Sequence, residues 1–338
     1  MRKNFFYVSF LLGLLSVFCL ACSCSIDEAA TQILGKSSRA PLFLSCKAVS
    51  GTEIDFEFSL PVRVVSLHFD PSVEIVSIEE GSTVRVNFDA GLGPGERLTA
   101  NMLAEDEHGN TINVLVTLRT RNERIPRLLI NELRTEYSRP RAEFIEFKIL
   151  ESGNLGALRV FIASNDKAPL VYEFSPVEVS AGEYILLHLR TMEDANKDEY
   201  GSNLDESGGT DAVAGVRDFW VPGTVKLLRK TDAVYALDHD DEVLDAVMLA
   251  ENPDPWWNRD HFAEAAEFLF EKGAWSSLDG KIAGPKDAVN SFNIRTAMTR
   301  SVSRDESAAD TNTLADWYIT ATSGITPGKP NNPARFQD

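Results

Sequence analysis

The residues best suited to chemistry lie in an acidic stretch in the second half of the chain. Asp194, Asn196, Asp198 and Asp205 occupy the first, third, fifth and twelfth places of a twelve-residue span. An EF-hand loop supplies oxygen ligands to Ca²⁺ from those places. Glu199, however, stands at the sixth place, where the sharp turn of that loop needs glycine. The span therefore predicts a solvated loop, with a calcium site as the alternative, and no other cofactor is predicted.

Other groups of metal-binding or catalytic side chains give weaker signals. Residues 238–241 read Asp-His-Asp-Asp, but they separate two apolar runs and therefore predict a hairpin turn. His188 belongs to the apolar run 184–189, which predicts a half-buried, hydrogen-bonded histidine, with a ligand role as the alternative. The sequence has no metalloprotease, serine hydrolase or complete phosphate-loop motif. We therefore predict a protein that is not an enzyme, with no catalytic residue. A calcium-assisted hydrolase of the phosphoesterase type is the alternative.

Three of the four cysteines are crowded at the end of an apolar N-terminal run. Arg2 and Lys3 precede the almost wholly apolar residues 5–21, which is the order of an export signal. The run ends in Leu-Ala-Cys-Ser and resembles a bacterial lipoprotein signal. The resemblance implies that the chain is cleaved just before Cys22. The new N-terminal Cys22 then carries diacylglycerol and a further acyl chain such as palmitate. The pattern has an aliphatic residue three places before the lipidated cysteine, whereas this sequence has Cys19 there. Cys24 is therefore the second choice for the lipidation site.

An acylated terminus decides where the protein is expected to work. Two or more acyl chains on one residue give stable membrane anchoring, whereas one chain is marginal. We therefore expect an exported protein, lipid-anchored to a bacterial membrane at the periplasmic face or the cell surface. An ordinary secretory signal is the alternative. Residues 1–21 are then the signal peptide and 22–40 a flexible tether. The net charge of −18 would repel phosphates, so no nucleic-acid partner is predicted.

The first domain is predicted at 41–124. About seven short runs there alternate Val, Ile, Phe or Thr with polar residues, and Gly, Pro or Asp interrupts them. Period-two alternation of this kind predicts an antiparallel sandwich. The Gly- and Pro-rich stretch 92–98, followed by Asp-Glu-His-Gly-Asn at 106–110, resembles bacterial immunoglobulin-like domains of surface proteins. The charged segment 119–126 marks the expected end of this domain.

The second domain is predicted at 127–335, where short sequence blocks follow one another in a fixed order. The blocks are 130–133, 143–147, 154–156, 179–184, 316–318 and 326–331. Their order resembles the lamin-tail domain, an immunoglobulin-like sandwich that acts in binding. The expected fold class is therefore all-β, with two immunoglobulin-like β-sandwiches in tandem and a short helical insertion in the second.

Two stretches exceed a minimal lamin-tail domain and are predicted to be insertions. The first, 191–211, holds the acidic span. The second, 252–290, has apolar residues at helical spacing, with Asn258 or Asp260 to cap the start of a helix and Gly273 to end it. The apolar residues are Phe262, Ala265, Ala266 and Leu269.

Three tryptophans, Trp256, Trp257 and Trp275, flank this predicted helix. We expect them to pin the insertion to the sandwich. An exposed aromatic patch for a partner is the alternative, because tryptophan is enriched among interface hot spots. They are the candidates for partner binding in a membrane-anchored envelope protein with a binding or structural role. The partners expected are the membrane, through the lipid, and a protein of the envelope.

Overall fold

The computed structural model describes residues 39–164, 168–294 and 298–337. Contacts divide the chain into two compact units. The first runs to Gly91 and resumes over Arg97–Leu118, and the second takes Leu92–Glu96 and the chain from Arg119 onward. Strands dominate both units, and the only α-helix among the described residues has 12 residues. The expected all-β class is confirmed at that level.

The N-terminal predictions fall outside the described residues. Cys22, Cys24, the signal peptide and nearly all of the tether precede residue 39. In the part of the chain that the structure describes, no helix is long and apolar enough to cross a bilayer.

Six strands form the first unit. They are β1 (Phe43–Ser50), β2 (Glu53–Asp70), β3 (Ile75–Glu79), β4 (Gly81–Phe88), β5 (Arg97–Glu105) and β6 (Thr111–Arg119). Their order in the sheet is β3-β4-β2-β5-β6, and β1 pairs with β2. Buried residues alternate along β4 and β5, as the period-two pattern predicts.

The prediction of about seven strands differs from the structure because two expected runs join into β2. This strand is 18 residues long. Its first part, Glu53 to Glu57, pairs with β4, whereas Arg63 to Asp70 pairs with β5. Pro61 lies in the irregular part of the β4 ladder, between Glu57 and Val62, where a residue without an N–H interrupts no pairing.

The turn between β5 and β6 forms as its residues predict. The carboxylate of Asp106 accepts hydrogen bonds from the N–H groups of His108 at 2.8 Å and Asn110 at 2.9 Å. Gly109 has a φ of +81°, a conformation that glycine adopts without strain.

Thirteen short strands and one helix form the described part of the second unit. The strands are β7 (Arg127–Arg134), β8 (Phe144–Glu151), β9 (Gly153–Asn154), β10 (Arg159–Ile162), β11 (Leu170–Glu173), β12 (Glu178–Val179), β13 (Tyr184–His188), β14 (Arg217–Trp220), β15 (Asp232–Leu237), β16 (Val243–Ala250), β17 (Val289–Asn290), β18 (Val302–Arg304) and β19 (Trp317–Ile319). The helix is α1 (Asp260–Glu271), and short 3-10 turns cover Pro285–Asp287, Ser291–Ile294 and Leu314–Asp316.

Two larger sheets and one small sheet organise these strands. One has the order β11-β10-β15-β16-β17, the other the order β14-β13-β8-β7-β18-β19, and β12 pairs with β9. Apolar side chains from both larger sheets and from α1 form one continuous core. The acidic loop connects β13 to β14, and α1 lies between β16 and β17.

Strand β8 is buried on both faces, which explains why its aromatic residues do not alternate regularly. Phe147 belongs to the core between the sheets. Phe144 lies under the guanidinium of Arg134, whose Cζ is 4.8 Å from the ring centre. The register with β7 also shifts between Ile130 and Glu132. A bulge and two covered faces therefore occur together.

Candidate functional site

Helix α1 forms the base of the candidate site. Its buried residues, Phe262, Ala265, Ala266 and Leu269, are those that the helical spacing predicts. Gly273 follows the helix with a φ of +69°. The N-terminus differs from the prediction. Arg259 occupies the N-cap position, and no side chain caps that end.

Two of the three tryptophans join the insertion to the core that it shares with the sandwich, because Trp275 belongs to that core and Trp257 packs against it. Trp275 is 1% exposed, and its indole N–H donates to the carbonyl of Asp287 at 3.3 Å. Trp257 is half-buried, donates to the carbonyl of Ala283 at 3.0 Å and packs against Phe262. Because Trp275 is buried, it is a core residue and not a surface for a partner.

Trp256 is placed differently from its neighbours. It is 82% exposed, although tryptophan carries one of the largest apolar surfaces of any side chain. The partner-binding candidates therefore reduce to Trp256.

A cleft of about 1140 Å³ lies beside this tryptophan surface, at the start of α1. Its lining includes Lys226, Arg229, Lys230 and Arg259. A smaller depression that Trp256 lines shares Thr231 and Asn258 with the cleft, so the two surfaces are contiguous. We call these two surfaces together the insertion face.

The acidic loop uses its predicted calcium ligands to fix its own backbone. Asp198 accepts hydrogen bonds from the Trp220 N–H at 2.7 Å and from the hydroxyls of Tyr172 and Tyr200. The side-chain oxygen of Asn196 accepts from Glu193 N–H at 2.8 Å.

The other two predicted ligands lie apart from these contacts. Asp205 accepts from the N–H of Gly215 at 3.0 Å, and Asp194 is exposed. No group of three or more His, Cys, Asp or Glu among the described residues could hold a metal ion. The structure therefore does not bring the four predicted ligands together as a cation site.

Residues 238–241 form the predicted hairpin turn between β15 and β16. Asp238 accepts hydrogen bonds from the N–H groups of Asp240 at 2.8 Å and Glu242 at 3.0 Å. The prediction of a turn is confirmed.

A buried ionic network around His188 is the main feature that the sequence did not indicate. His188 Nε2 lies 2.8 Å from Asp218 Oδ1, and its ring stacks on Trp220. Its Nδ1 lies 3.7 Å from Asp211, whose carboxylate is also paired with Arg134. Burial disfavours the imidazolium, but the two carboxylates outweigh it and raise the pKa of His188 above its ordinary value. The predicted hydrogen bonding of His188 is confirmed, whereas the prediction that it is half-buried is wrong, because the residue is 1% exposed.

Two further buried carboxylates, Glu132 and Glu146, face each other across β7 and β8. Glu132 accepts a hydrogen bond from Thr326 N–H at 3.1 Å, and Glu146 accepts one from Gly328 N–H at 2.5 Å. Burial raises the pKa of Glu132 to about 7. Burial and the neighbouring charge of Glu132 raise the pKa of Glu146 well above its ordinary value. Both carboxylates accept hydrogen bonds from backbone N–H groups of the C-terminal segment. The two glutamates therefore tie that segment to the sheet.

Comparison with known proteins places the second unit in a family. Residues 126–319 match the family TP_1001_2nd, described as "protein second domain". That stretch is more than half of the 338 residues. The chain belongs to this family. The TP_1001_2nd match begins one residue before β7 and ends at the last residue of β19, so it covers both larger sheets and the insertion face.

A protein of Treponema pallidum (strain Nichols), described as "Uncharacterized protein", is also similar. It is 29% identical over an alignment of 169 positions, and the match covers 46% of this chain and 42% of that protein. The match therefore spans less than half the length of this Treponema pallidum protein.

Proposed function

We propose that this chain is an exported bacterial lipoprotein that holds a binding module beside a membrane. Cys22 carries the lipid, with Cys24 as the second choice. The first unit is an immunoglobulin-like sandwich that acts as a spacer. The second is a lamin-tail-like sandwich that binds a protein of the cell envelope without catalysing a reaction. The working surface is the part of the insertion face around Trp256.

The exposure of Trp256 is the observation that carries this proposal. An isolated apolar residue on a surface is ordinary, but Trp256 stands on an insertion whose other two tryptophans belong to the core or pack against it. A tryptophan side chain has only two χ angles and therefore loses little conformational freedom on binding. Burying it would remove roughly 150–250 Å² of surface from water. These are the properties of an interface hot spot.

The alternative of a calcium-assisted hydrolase has less support. Its proposed ligands, Asp198 and Asn196, already accept hydrogen bonds from the protein. A cation would have to displace those donors before it could bind.

The lipid anchor gives the first prediction. The mature wild-type protein is expected in the membrane fraction with a diacylated N-terminal cysteine, because two or more acyl chains hold a protein stably at a bilayer. Cys22→Ser should shift the protein to the soluble fraction, whereas Cys24→Ser should leave it in the membrane. Mass spectrometry of the mature terminus checks the modification directly. An unacylated terminus on a soluble wild-type protein would contradict the proposal.

Trp256 gives the second prediction. Trp256→Ala should abolish a cross-linked adduct that the wild-type chain forms in native membranes, because the anchor of the interface is lost. Cross-linking followed by quantitative mass spectrometry measures the effect.

Leu115 supplies the matched control for this experiment. It is an exposed apolar residue at 74% exposure, and it lies on β6 of the first unit. Leu115→Ala should leave the adduct unchanged. Equal loss of the adduct in both variants, or no loss in either, would contradict the proposal that the partner binds at the insertion face.

A further inference from the structure

The cleft at the start of α1 concentrates cations in a chain that is otherwise acidic. Lys226, Arg229 and Lys230 come from the segment between β14 and β15, and Arg259 precedes α1. The chain as a whole has a net charge of −18. Cations gathered in a concave site attract anions strongly, because the low-dielectric walls focus the field.

The carboxylates of the cleft offset these cations only in part. Glu251, Asp260 and Glu264 also belong to the lining, so four cations against three carboxylates leave a charge of +1 with histidine neutral. Glu136, which lies outside the lining, is 3.3 Å from the ammonium of Lys226, and Glu251 is 3.5 Å from the ammonium of Lys230. These distances are long compared with the 2.6 Å pair between Arg304 and Asp245 in the buried part of this unit.

The two arginines of the cleft have unused hydrogen-bonding capacity. Across the described residues, neither the Arg229 nor the Arg259 side chain forms an ion pair or a hydrogen bond. Most arginines of this unit do pair with carboxylates, as Arg134, Arg217 and Arg304 show. A guanidinium presents five N–H donors in a planar fork that matches the oxygens of a phosphate group.

The start of α1 adds backbone donors to the same cleft. No side chain caps this helix, which has 12 residues. In its first turn the N–H of Phe262 donates to the carbonyl of Arg259 at 3.2 Å, and the N–H groups before it have no side-chain acceptor. Such groups and the helix dipole favour negative charge. They supplement the cations and do not replace them.

We propose that this cleft binds the phosphate group of an anionic ligand. A phosphate is favoured over a simple carboxylate because two guanidinium forks without carboxylate partners can share more than one negative charge. The cleft volume of about 1140 Å³ also leaves room for the group to which the phosphate is attached. The site goes beyond the proposed protein partner, because Trp256 does not line this cleft and a phosphate ligand can bind without that partner.

Calorimetric titration of the full-length chain with inorganic pyrophosphate tests the proposal. We expect saturable binding at one site, and binding about tenfold weaker or more in the double variant Arg229→Gln, Arg259→Gln, because two charge-assisted contacts are lost. Both arginines are exposed, so the variant should keep the unfolding midpoint of the wild type.

Two controls separate a specific site from general attraction. Arg97 is exposed, lies on β5 of the first unit, and has no ion pair among the described residues. Arg97→Gln removes one charge outside the cleft and should leave pyrophosphate binding unchanged. Acetate, a monovalent carboxylate, should bind far more weakly than pyrophosphate.

A lipid arm identifies the source of the phosphate. Soluble dibutyryl phosphatidylglycerol binding more tightly than pyrophosphate would assign the site to a lipid headgroup, and the reverse order would assign it to a free phosphate compound. Either order supports the proposal. No saturable binding of either probe at millimolar concentration, or equal affinity in the double variant and the wild type, would overturn it.

Discussion

Replacing Trp275 by alanine is expected to lower the free energy of unfolding of the second unit by about 3–5 kcal/mol. The indole is 1% exposed and belongs to the core formed by both larger sheets and α1. Its removal leaves a cavity that the surrounding side chains can fill only in part. The change also removes the hydrogen bond to the carbonyl of Asp287.

Tryptophan fluorescence measures this effect without interference from the first unit. All five tryptophans of the chain lie beyond residue 119, in the second unit. Trp256→Ala is the matched control, because Trp256 is 82% exposed and its loss should change the free energy of unfolding by less than about 0.5 kcal/mol. Similar destabilisation by the two substitutions in a denaturant titration would contradict the distinction between core and surface tryptophans.

Asp211→Ala is expected to destabilise the second unit by a similar amount, about 3–5 kcal/mol, because it leaves a buried cation without its partner. The carboxylate of Asp211 is paired with Arg134, and the two side chains are 3% and 5% exposed. It also accepts a hydrogen bond from the N–H of Ala142 at 2.9 Å. After the substitution, the guanidinium of Arg134 keeps only the carbonyl of Ala142 as an acceptor.

A surface ion pair in the same unit provides the comparison. Arg127 and Glu151 approach to 3.5 Å, and both side chains are more than two-thirds exposed. Glu151→Ala should therefore change the free energy of unfolding by no more than about 1 kcal/mol. Equal effects of the two substitutions would show that the network around Asp211 does not stabilise the fold.

The buried ion pair between Asp211 and Arg134 could not be predicted from the sequence. The two residues lie 77 residues apart in the chain, and no local pattern joins them. Asp211 itself stands in a Gly- and Ser-rich stretch that reads as solvated loop. Only the folded crossover from β13 to β14 brings the two charges together.

Local signals were more reliable where one element decides the outcome. The spacing of Phe262, Ala265, Ala266 and Leu269 predicted the buried face of α1, because helical periodicity is a property of consecutive residues. Asp106 likewise predicted its own turn. The capping prediction at Asn258 or Asp260 was wrong because the chain enters the helix at Arg259 without a side-chain cap.

The tryptophans lie between these two cases. Their positions around α1 indicated that they act on the insertion, but three identical residue types within 20 positions do not reveal which is buried. That depends on the direction in which each side chain leaves the backbone. Trp256 and Trp257 are adjacent, and one is exposed while the other packs against Phe262.

Photo-cross-linking from position 256 in native membranes tests whether Trp256 contacts a protein of the envelope. A benzoylphenylalanine in place of Trp256 puts the reactive group on the surface proposed to bind the partner. The same group in place of Leu115 serves as the control. We expect a discrete adduct with one envelope protein from position 256 and none from position 115. The same adducts from both positions, or none from position 256, would contradict the proposal.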